Sequence, residues 1–262
     1  MENNRRGSGI FLGVVAVATL VVAIIGATFA YFSITAQSNS DAVNLTAYEF
    51  NASLSVNPLY PTGTFKGLIP IDPEATVANV SGSNNKNLLY AINEAENKCV
   101  DTAGYQVCQV LELSFTNSGT AEMTLSGTLM TTLNDPTSSG RTGATAFTDL
   151  KMRTATGSLG ESGQPNTLVF DTTEVEGNNQ VNVYAVPTAV DGTVSIGDVV
   201  IPGGQTVKKY VVVYLDGTND QAEGGAGAVD QSAQMGATYQ GQLIFASSAG
   251  NQLTGTFTIS SD

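Results

Sequence analysis

The stretch LTGTFTIS near the C-terminus alternates apolar residues with hydroxyl-bearing residues, one by one. Successive side chains of a β-strand point to opposite faces of the sheet, so this alternation predicts a strand with one buried face. The apolar side carries Leu253, Phe257 and Ile259 together with Gly255. Outside the N-terminal region, no helical periodicity of any length competes with this pattern. The chain is therefore expected to build its core from sheets.

The central stretch QVLELSFTNSGTAEMTLSGTLM predicts two further strands of the same kind. Their apolar faces consist of Leu111, Leu113 and Phe115 in the first strand and of Met123, Leu125 and Leu129 in the second. Between them, Asn117-Ser118-Gly119 is typical of a hairpin connection. We therefore expect these two strands to be antiparallel neighbours.

The stretch TVKKYVVVYLDG is apolar on both faces from Tyr210 to Leu215, which predicts a strand in the middle of a sandwich. Further strands are predicted in AYEFNASLSV, GLIPI, NLLYAI, AFTDLKMR, TLVF, QVNVYAV and TYQGQLIFASSA, while SGSNNKNLLYAINEAENK has room for one helical turn at most. Ten or so strands separated by turn-rich segments indicate an all-β fold, an antiparallel sandwich of jelly-roll type. We assign residues 51–262 to this β-sandwich domain.

The N-terminal region contains an uncharged apolar run over residues 10–30, directly behind the basic residues Arg5 and Arg6. A helix needs about 20 apolar residues to span a bilayer, so this run predicts an apolar helix long enough to be a membrane anchor. The basic pair keeps the amino end inside the cell, and the rest of the chain is expected outside the cytoplasm. If the helix is retained, residues 10–30 are the part that contacts a membrane.

The layout of residues 1–30 is also that of a cleaved export signal, with a basic start, an apolar middle and small residues at the end. Cleavage is expected between Ala30 and Tyr31. The sequence thus predicts a signal peptide or a membrane anchor. The protein is expected to be secreted to the cell surface in the first case and tethered there in the second.

Three stretches resemble one known family. The leader segment GATFAYFSITAQS, the central LELSFTNSGTAEMTLSGTL and the C-terminal ATYQGQLIFASSAGNQLTG are similar, in this order, to segments of the TasA/camelysin family. Members of that family are exported proteins of Gram-positive bacteria with a leader cut by a dedicated signal peptidase. The resemblance implies a subunit of a biofilm-matrix fibre.

The same resemblance implies a mode of assembly. In the family, the N-terminal segment of one subunit adds a strand to the sheet of its neighbour, which gives self-association into filaments. Here residues 31–50 are the candidate donor strand, with Tyr31, Phe32 and Ile34 as its apolar anchors. The physical basis is sound, because an open sheet edge presents unpaired N–H and C=O groups.

The chain contains no histidine, and this limits its chemistry. Camelysin is classed as a metalloprotease, but the zinc proteases hold their metal through histidines at fixed spacing, as in HExxH. Ser-His-Asp and Cys-His catalysis are excluded for the same reason. We therefore expect no enzymatic activity and assign no catalytic residue.

The charge balance limits the partners. There are 10 Lys and Arg against 23 Asp and Glu, which gives a net charge of -13. Nucleic-acid binding requires clustered basic residues, and the sequence contains no such cluster. Self-association, or contact with other matrix or cell-surface proteins, is expected instead.

The two cysteines, Cys99 and Cys108, flank the turn-like stretch DTAGY. Because an exported chain meets oxidising conditions, we expect a disulfide between them. Two free thiols on a surface loop are the alternative. The spacing is not that of a CxxC redox pair.

The acidic loop LDGTNDQAEGGAGAVDQ offers oxygen ligands for Ca²⁺, the one metal ion that the sequence suggests. The candidate ligands are Asp216, Asn219, Asp220, Glu223 and Asp230. Their spacing is not that of an EF-hand, and a solvated acidic loop is the simpler interpretation. No other cofactor is expected.

Two alternatives to a fibre subunit stay open. A tethered or secreted binding module, such as an adhesin, would use the sandwich loops to hold a glycan or a protein. A pilin-like subunit would be cut after Gly9 and retain its helix, although Val14 stands where the usual glutamate is expected. The mass of the exported protein separates these possibilities.

Overall fold

The computed structural model describes residues 50–62, 66–75, 77, 86–136, 145–160, 165–218, 234 and 236–260. These residues all belong to one compact unit, Ala42–Asp262. The predicted N-terminal apolar helix and nearly all of the candidate donor segment lie outside the described residues.

Fifteen strands and one short helix are defined within this part of the chain. The strands are β1 (Ala52–Tyr60), β2 (Lys66–Leu68), β3 (Pro70–Ile71), β4 (Tyr105–Gln106), β5 (Gln109–Asn117), β6 (Met123–Asp135), β7 (Leu150–Thr156), β8 (Val169–Phe170), β9 (Thr172–Val175), β10 (Asn178–Val181), β11 (Tyr184–Ala185), β12 (Thr193–Ile201), β13 (Thr206–Asp216), β14 (Thr238–Ser247) and β15 (Gln252–Ser260). The helix α1 (Asn87–Asn93) lies between β3 and β4.

Two sheets form the body of the molecule. The larger sheet has the order β1-β5-β13-β7-β11, with β3 and β8 added at the side, and the smaller sheet has the order β12-β6-β14-β15. The long strands pair antiparallel, and parallel pairing is confined to β3 with β13 and β2 with β4. The prediction of an antiparallel all-β sandwich is confirmed.

The main core lies between the two sheets. From the larger sheet, Leu113, Phe115 and Val211 point into it, as the alternation predicts. The smaller sheet contributes Leu129 and Phe245 among others. The Phe115 and Phe245 rings meet edge to face, with centroids 4.7 Å apart, an arrangement that aromatic rings prefer.

The larger sheet is covered on its other face as well. Strand β13 lies between β5 and β7, and its residues Tyr210, Val212 and Tyr214 pack against α1 and the disulfide. The prediction that Tyr210–Leu215 is buried on both faces is confirmed. Because this strand has neighbours on both sides and layers above and below, it is the most enclosed element described.

The connection between β5 and β6 differs from the prediction. Asn117-Ser118-Gly119 is not a hairpin turn, because β5 belongs to the larger sheet and β6 to the smaller one. The buried Asn117 side chain explains the crossing, since its Nδ2 donates to the carbonyls of Ala121 (2.8 Å) and Ile201 (3.1 Å). Its Oδ1 accepts from the Gly119 N–H at 2.9 Å. The amide thus joins the two sheets where the chain crosses.

The segment NLLYAI was also predicted wrongly, as a strand. It forms α1, because Leu88, Ala91 and Ile92 at helical spacing all reach the same apolar cluster. Asn93 then fixes the helix end to the segment before β8: its Nδ2 donates to Leu168 O at 2.8 Å, and its Oδ1 accepts from Leu168 N at 3.0 Å. Tertiary burial decides here between helix and strand.

Two further strand assignments needed correction. The stretch QVNVYAV is divided between β10 and β11, which pair with different partners. Strand β12 was not predicted, because a bulge between Ser195 and Gly197 shifts its alternation by one residue. Gly197 has φ 86°, a conformation that glycine adopts without strain.

Candidate functional site

The edges of the two sheets differ in how well they are protected against further pairing. In the larger sheet, β1 is interrupted by a register shift between Pro58 and Tyr60, and Pro58 has no N–H to offer. The opposite edge consists of the two-residue strands β8 and β11. In the smaller sheet, β12 carries the bulge at Gly197, followed by the charged Asp198. Bulges, prolines, charges and short strands are the features that prevent edge-to-edge association.

Strand β15 has none of these features. Its nine residues, QLTGTFTIS, contain no charged side chain and no proline. The register with β14 is continuous from Thr238↔Ser260 to Ala246↔Gln252. Within the described part of the chain, β14 is its only partner strand. Of the four sheet edges, β15 is therefore the one best suited to receive another strand.

Close glycine contacts hold β15 in place. A Cβ built on Gly255 would lie 2.2 Å from Val56 Cγ2, so β1 and β15 approach closely at this side of the sandwich. In the neighbouring strand, a Cβ on Gly241 would lie 2.7 Å from the Phe257 ring. Both positions therefore require glycine. The sequence alternation shows where Gly255 points, but its contact with Val56 depends on the fold.

The outer face of the smaller sheet is almost uncharged. Cross-strand partners lie on the same face, which places on it the side chains of Thr193, Ser195, Asp198, Val200, Thr124, Ser126, Thr128, Met130, Gln240, Gln242, Ile244, Ala246, Gln252, Thr254, Thr256 and Thr258. Asp198 is the one charged member of this set. In a chain of net charge -13, such a face offers little electrostatic repulsion to a second copy.

The predicted disulfide is present. Cys99 and Cys108 are bonded, with their Cα atoms 4.9 Å apart, and both are fully buried. The turn between them is organised by Asp101, whose Oδ1 accepts from the N–H groups of Ala103 (2.9 Å) and Tyr105 (2.7 Å). The bond fastens this turn to the outer face of the larger sheet.

A buried cation lies on the same face of the larger sheet. The Arg153 side chain donates from Nε to Tyr214 Oη at 3.0 Å and from Nη2 to Glu74 Oε1 at 2.7 Å. Its guanidinium also stacks on the rings of Phe170 (4.9 Å) and Tyr214 (5.4 Å). Burial is the main effect on Tyr214 and raises its pKa to about 12. This cluster joins β7, β13 and the segment after β3.

A cavity of about 760 Å³ opens beside α1. Its lining includes Ile69, Tyr90, Val100 and Val107, with Asp72 and Asp101 at polar positions. Asn87, Glu96, Asn97 and Thr102 also line it, so its walls are mixed in polarity. The chain has no histidine that could take part in catalysis there.

Most of the residues predicted for assembly and for calcium lie outside the described part of the chain. This holds for the cleavage site Ala30-Tyr31, for the anchors Phe32 and Ile34, and for Asn219, Asp220, Glu223 and Asp230. Asp216 is described at the end of β13, where its Oδ1 accepts from Thr218 N (2.9 Å) and Oγ1 (2.6 Å). In the described ranges, no group of three or more metal-binding side chains occurs.

No helix of the described residues is long and apolar enough to cross a bilayer. Residues 10–30 lie outside them.

The sequence analysis predicted none of the ion pairs, and one of them points into the core. Lys209 and Asp171 form an ion pair with Nζ and Oδ2 3.1 Å apart at the end of the core between the sheets. A signal was available, because Lys208 and Lys209 are consecutive in a strand and must point to opposite faces. One of them had to point inwards.

Comparison with known proteins identifies no family. No protein-family model and no curated protein matches the chain. Among solved structures, it is similar to a FixG-related protein from Vibrio parahaemolyticus at 6% identity, covering 81% of this chain and 97% of that one, with a TM-score of 0.32. The sporulation control protein Spo0M from Bacillus subtilis matches at 7% identity over 58% of this chain and 41% of its own, with a TM-score of 0.23. A family 123 glycoside hydrolase from Clostridium perfringens matches at 10% identity over 58% and 20%, with a TM-score of 0.28.

Proposed function

We propose that this protein is a non-enzymatic extracellular structural protein, a subunit of a surface fibre or biofilm matrix that assembles by strand addition. The observation that carries the proposal is the edge of β15, which is uncharged, regular and free of proline. Such an edge is a template for a further strand unless it is protected. The nearly uncharged outer face next to it removes the electrostatic barrier to a second copy.

The proposed donor is residues 31–50, with Tyr31, Phe32 and Ile34 as anchors. This segment leads directly into β1, whose Val56 lies against Gly255 of β15. The donor of each subunit therefore leaves its sandwich close to the side that carries the open edge. Backbone hydrogen bonds would provide the affinity, and apolar pockets would select the anchors.

The remaining parts of the proposal rest on sequence. The absence of histidine and the three matching stretches support a TasA/camelysin-like protein without enzymatic activity, built on a jelly-roll-type sandwich. The Cys99–Cys108 disulfide fits an oxidising compartment outside the cell. Calcium binding at Asp216 and the acidic loop belongs to the same proposal and is measured by equilibrium dialysis.

A second candidate function is a tethered or secreted binding module. The cavity beside α1 favours it, because its size and its mixed lining would suit a small ligand or a peptide side chain. A retained leader, seen as the full mass of the surface-exposed protein, would favour this module or a pilin-like subunit. A mature chain that starts near Tyr31 would favour the fibre subunit.

The decisive experiment introduces charge on the open edge. The variant Thr256→Lys/Thr258→Lys places two ammonium groups on β15, while Thr124→Lys/Ser126→Lys places the same charge on β6, which is interior to the same sheet. All four positions are exposed, so stability should change by no more than about 0.5 kcal/mol in either variant. Purified mature protein is then examined by electron microscopy and sedimentation.

We expect filaments from the wild-type protein and from the β6 variant, and mainly monomers from the β15 variant. Deletion of residues 31–50 should also give monomers, and adding a peptide of that sequence to the truncated protein should give stoichiometric binding. Monodisperse particles from the wild-type mature chain, or equal assembly by the two lysine variants, would contradict the proposal.

A further inference from the structure

The hairpin of β9 and β10 is a two-stranded sheet of its own. It leaves the sandwich at the edge of the larger sheet that lies opposite β1, since β8 before it and β11 after it both pair with β7. The Asn182 N–H donates to the Asp171 carbonyl at 2.9 Å and closes the base of the hairpin. We call residues 172–181 the arm.

The arm is exposed on both faces. Every residue of β9 and β10 is exposed to solvent. In the part of the chain that the structure describes, neither strand has a second partner strand. An isolated two-stranded hairpin is at best marginally stable in water, and it needs a third strand or a packed face for independent stability. The arm therefore presents two open strand edges and two unpacked faces to a partner.

Exposed apolar side chains are concentrated around the arm. The cross-strand register places Val175 on one face and Val181 on the other, and these side chains are 41% and 37% exposed. Across the described residues, the large apolar side chains that are exposed all lie between positions 169 and 200: Val169, Val175, Val181, Val183, Val190 and Val200. They belong to or flank the strands β8 to β12, and β11 lies beside β12. Exposed apolar surface on one side of a soluble protein is typical of an interaction site.

The charge on the arm is negative and is not neutralised. Glu174 and Glu176 flank Val175, and both glutamates are exposed. The sequence contains no lysine or arginine between Arg153 and Lys208. In the described ranges, neither glutamate has an ion-pair partner. A partner of this surface is therefore expected to supply cations.

The turn at the tip of the arm holds Glu176 in an unfavourable backbone conformation. Glu176 has φ 51° and Gly177 has φ 81°, which are φ values of a type I′ hairpin turn. Such turns favour Asn-Gly, and positive φ is costly for a glutamate because its Cβ approaches a carbonyl oxygen. Asparagine would therefore stabilise the turn. Strain of this kind is common at functional sites, so the Glu176 carboxylate is expected to act outside the fold.

We propose that the arm binds a cationic protein segment in which lysine or arginine alternates with apolar residues. The segment adds to the open edge of β9 as a third strand, and its backbone hydrogen bonds provide the affinity. Directly opposite residues of paired strands lie on the same face, so a cation faces Glu174 and an apolar side chain faces Val175. A second cation reaches Glu176 at the turn. Charge and alternation together select the partner.

Other partners fit this surface less well. A second copy of the chain carries a net charge of -13, so the arm would meet mainly like charges. Nucleic acids and anionic membranes repel carboxylates for the same reason. The arm leaves the edge of the larger sheet opposite β1, whereas the proposed fibre contact uses β15 beside β1. The inference is therefore independent of the proposed function.

The test uses the full-length chain and labelled octapeptides, with binding followed by fluorescence anisotropy. A peptide of alternating valine and lysine should bind. Replacing its lysines by glutamates, or its valines by serines, should weaken binding by at least about tenfold, because charge and apolar contact are both required. Equal binding of the three peptides, or no binding of the valine–lysine peptide, would overturn the proposal.

Variants locate the site. Glu174→Gln/Glu176→Gln should weaken binding of the valine–lysine peptide by about tenfold or more. Glu96→Gln/Glu122→Gln removes the same charge from exposed positions elsewhere and should leave binding unchanged. A loss in this control instead of in the arm variant would move the peptide to the cavity beside α1, which Glu96 lines, and would overturn the proposal.

Glu176→Asn separates binding from stability. It should slow hydrogen exchange of the amide groups in the arm, because the turn is relieved of strain, and yet weaken binding of the valine–lysine peptide. Unchanged binding would overturn the role of Glu176. Sedimentation of the same variants is the last check, because self-association that is lost with the arm glutamates would identify a second copy as the occupant and refute the cationic partner.

Discussion

Replacing Gly255 by alanine is expected to destabilise the sandwich where β1 meets β15. The new Cβ would lie 2.2 Å from Val56 Cγ2 and 3.2 Å from Val56 Cβ, well inside van der Waals contact. Valine is stiff about χ1, so its methyl group cannot simply rotate away. The strands must separate or the side chain must leave its rotamer.

The magnitude follows from the overlap. Overpacking a core by one methyl group costs about 1–3 kcal/mol, which we expect for Gly255→Ala. Val56→Ala removes two methyl groups from a half-buried side chain and should cost about 1–2 kcal/mol. In the double variant, the alanine methyl at 255 enters the space that Val56 vacates. Its total cost should therefore stay close to that of Val56→Ala alone.

Urea unfolding of the four proteins, followed by circular dichroism, measures this cycle. We expect a coupling energy of at least about 1 kcal/mol between the two sites, because they are in direct contact. Thr254→Ala, on the exposed face of the same strand, is the matched control and should change stability by less than about 0.5 kcal/mol. If the two single costs simply add, within about 0.5 kcal/mol, the inferred packing of β1 on β15 is wrong.

Two further predictions concern the outer face of the larger sheet. Replacing both Cys99 and Cys108 by alanine opens a loop with a sequence separation of 9 and should lower the free energy of unfolding by about 2.6 kcal/mol, measured by denaturant titration. Reduction of the wild-type protein should shift the curve by a similar amount, and no shift would contradict the entropic account. Because burial raises the pKa of Tyr214 from 10.0 to about 12, the folded state keeps a proton that the unfolded state loses in this range. The contribution of Tyr214 to the free energy of unfolding should therefore be fully present below about pH 10 and fall as the pH rises towards 12. Tyr214→Phe should make this fall less steep, and it should cost about 1–3 kcal/mol at neutral pH because Arg153 loses a buried partner. An unchanged pH dependence in the variant would refute the assignment of the raised pKa to Tyr214.

The sequence was a good guide to the strands that bury one face. In β5, β6 and β15, the alternation directly reflects which side chains face the core, so the periodicity is a physical signature of the sheet. The enclosed β13 was equally visible, because both of its faces are apolar from Tyr210 to Leu215. The disulfide was predicted from the expected export of the chain and from the turn between the cysteines.

The sequence did not show which strands pair with each other. Asn117-Ser118-Gly119 has the composition of a hairpin turn, yet its amide joins two different sheets through the carbonyl of Ile201, far away in sequence. The apolar run NLLYAI fits a strand and a short helix equally well, and the cluster around the disulfide selects the helix. These decisions depend on contacts that local sequence does not contain.

The candidate site was likewise predictable from the sequence only in part. The sequence QLTGTFTIS shows directly that β15 is uncharged, but its position at the edge of the sheet depends on the pairing of β14 with β6. The inward direction of one of two consecutive lysines was deducible from strand geometry. Its partner Asp171 was not, because the segment around β8 and β9 reaches Lys209 only through the fold.

The transfer of the chain between sheets after Asn117 affects the order of folding. Consecutive strands β5 and β6 cannot form a local nucleus together, and β6 finds its central neighbour only at Thr238–Ser247, more than a hundred residues later. High contact order of this kind slows folding to about milliseconds or longer. A nascent polypeptide that still lacks β14 and β15 would expose the apolar side of β6, so the smaller sheet cannot be completed until these two strands have been synthesised.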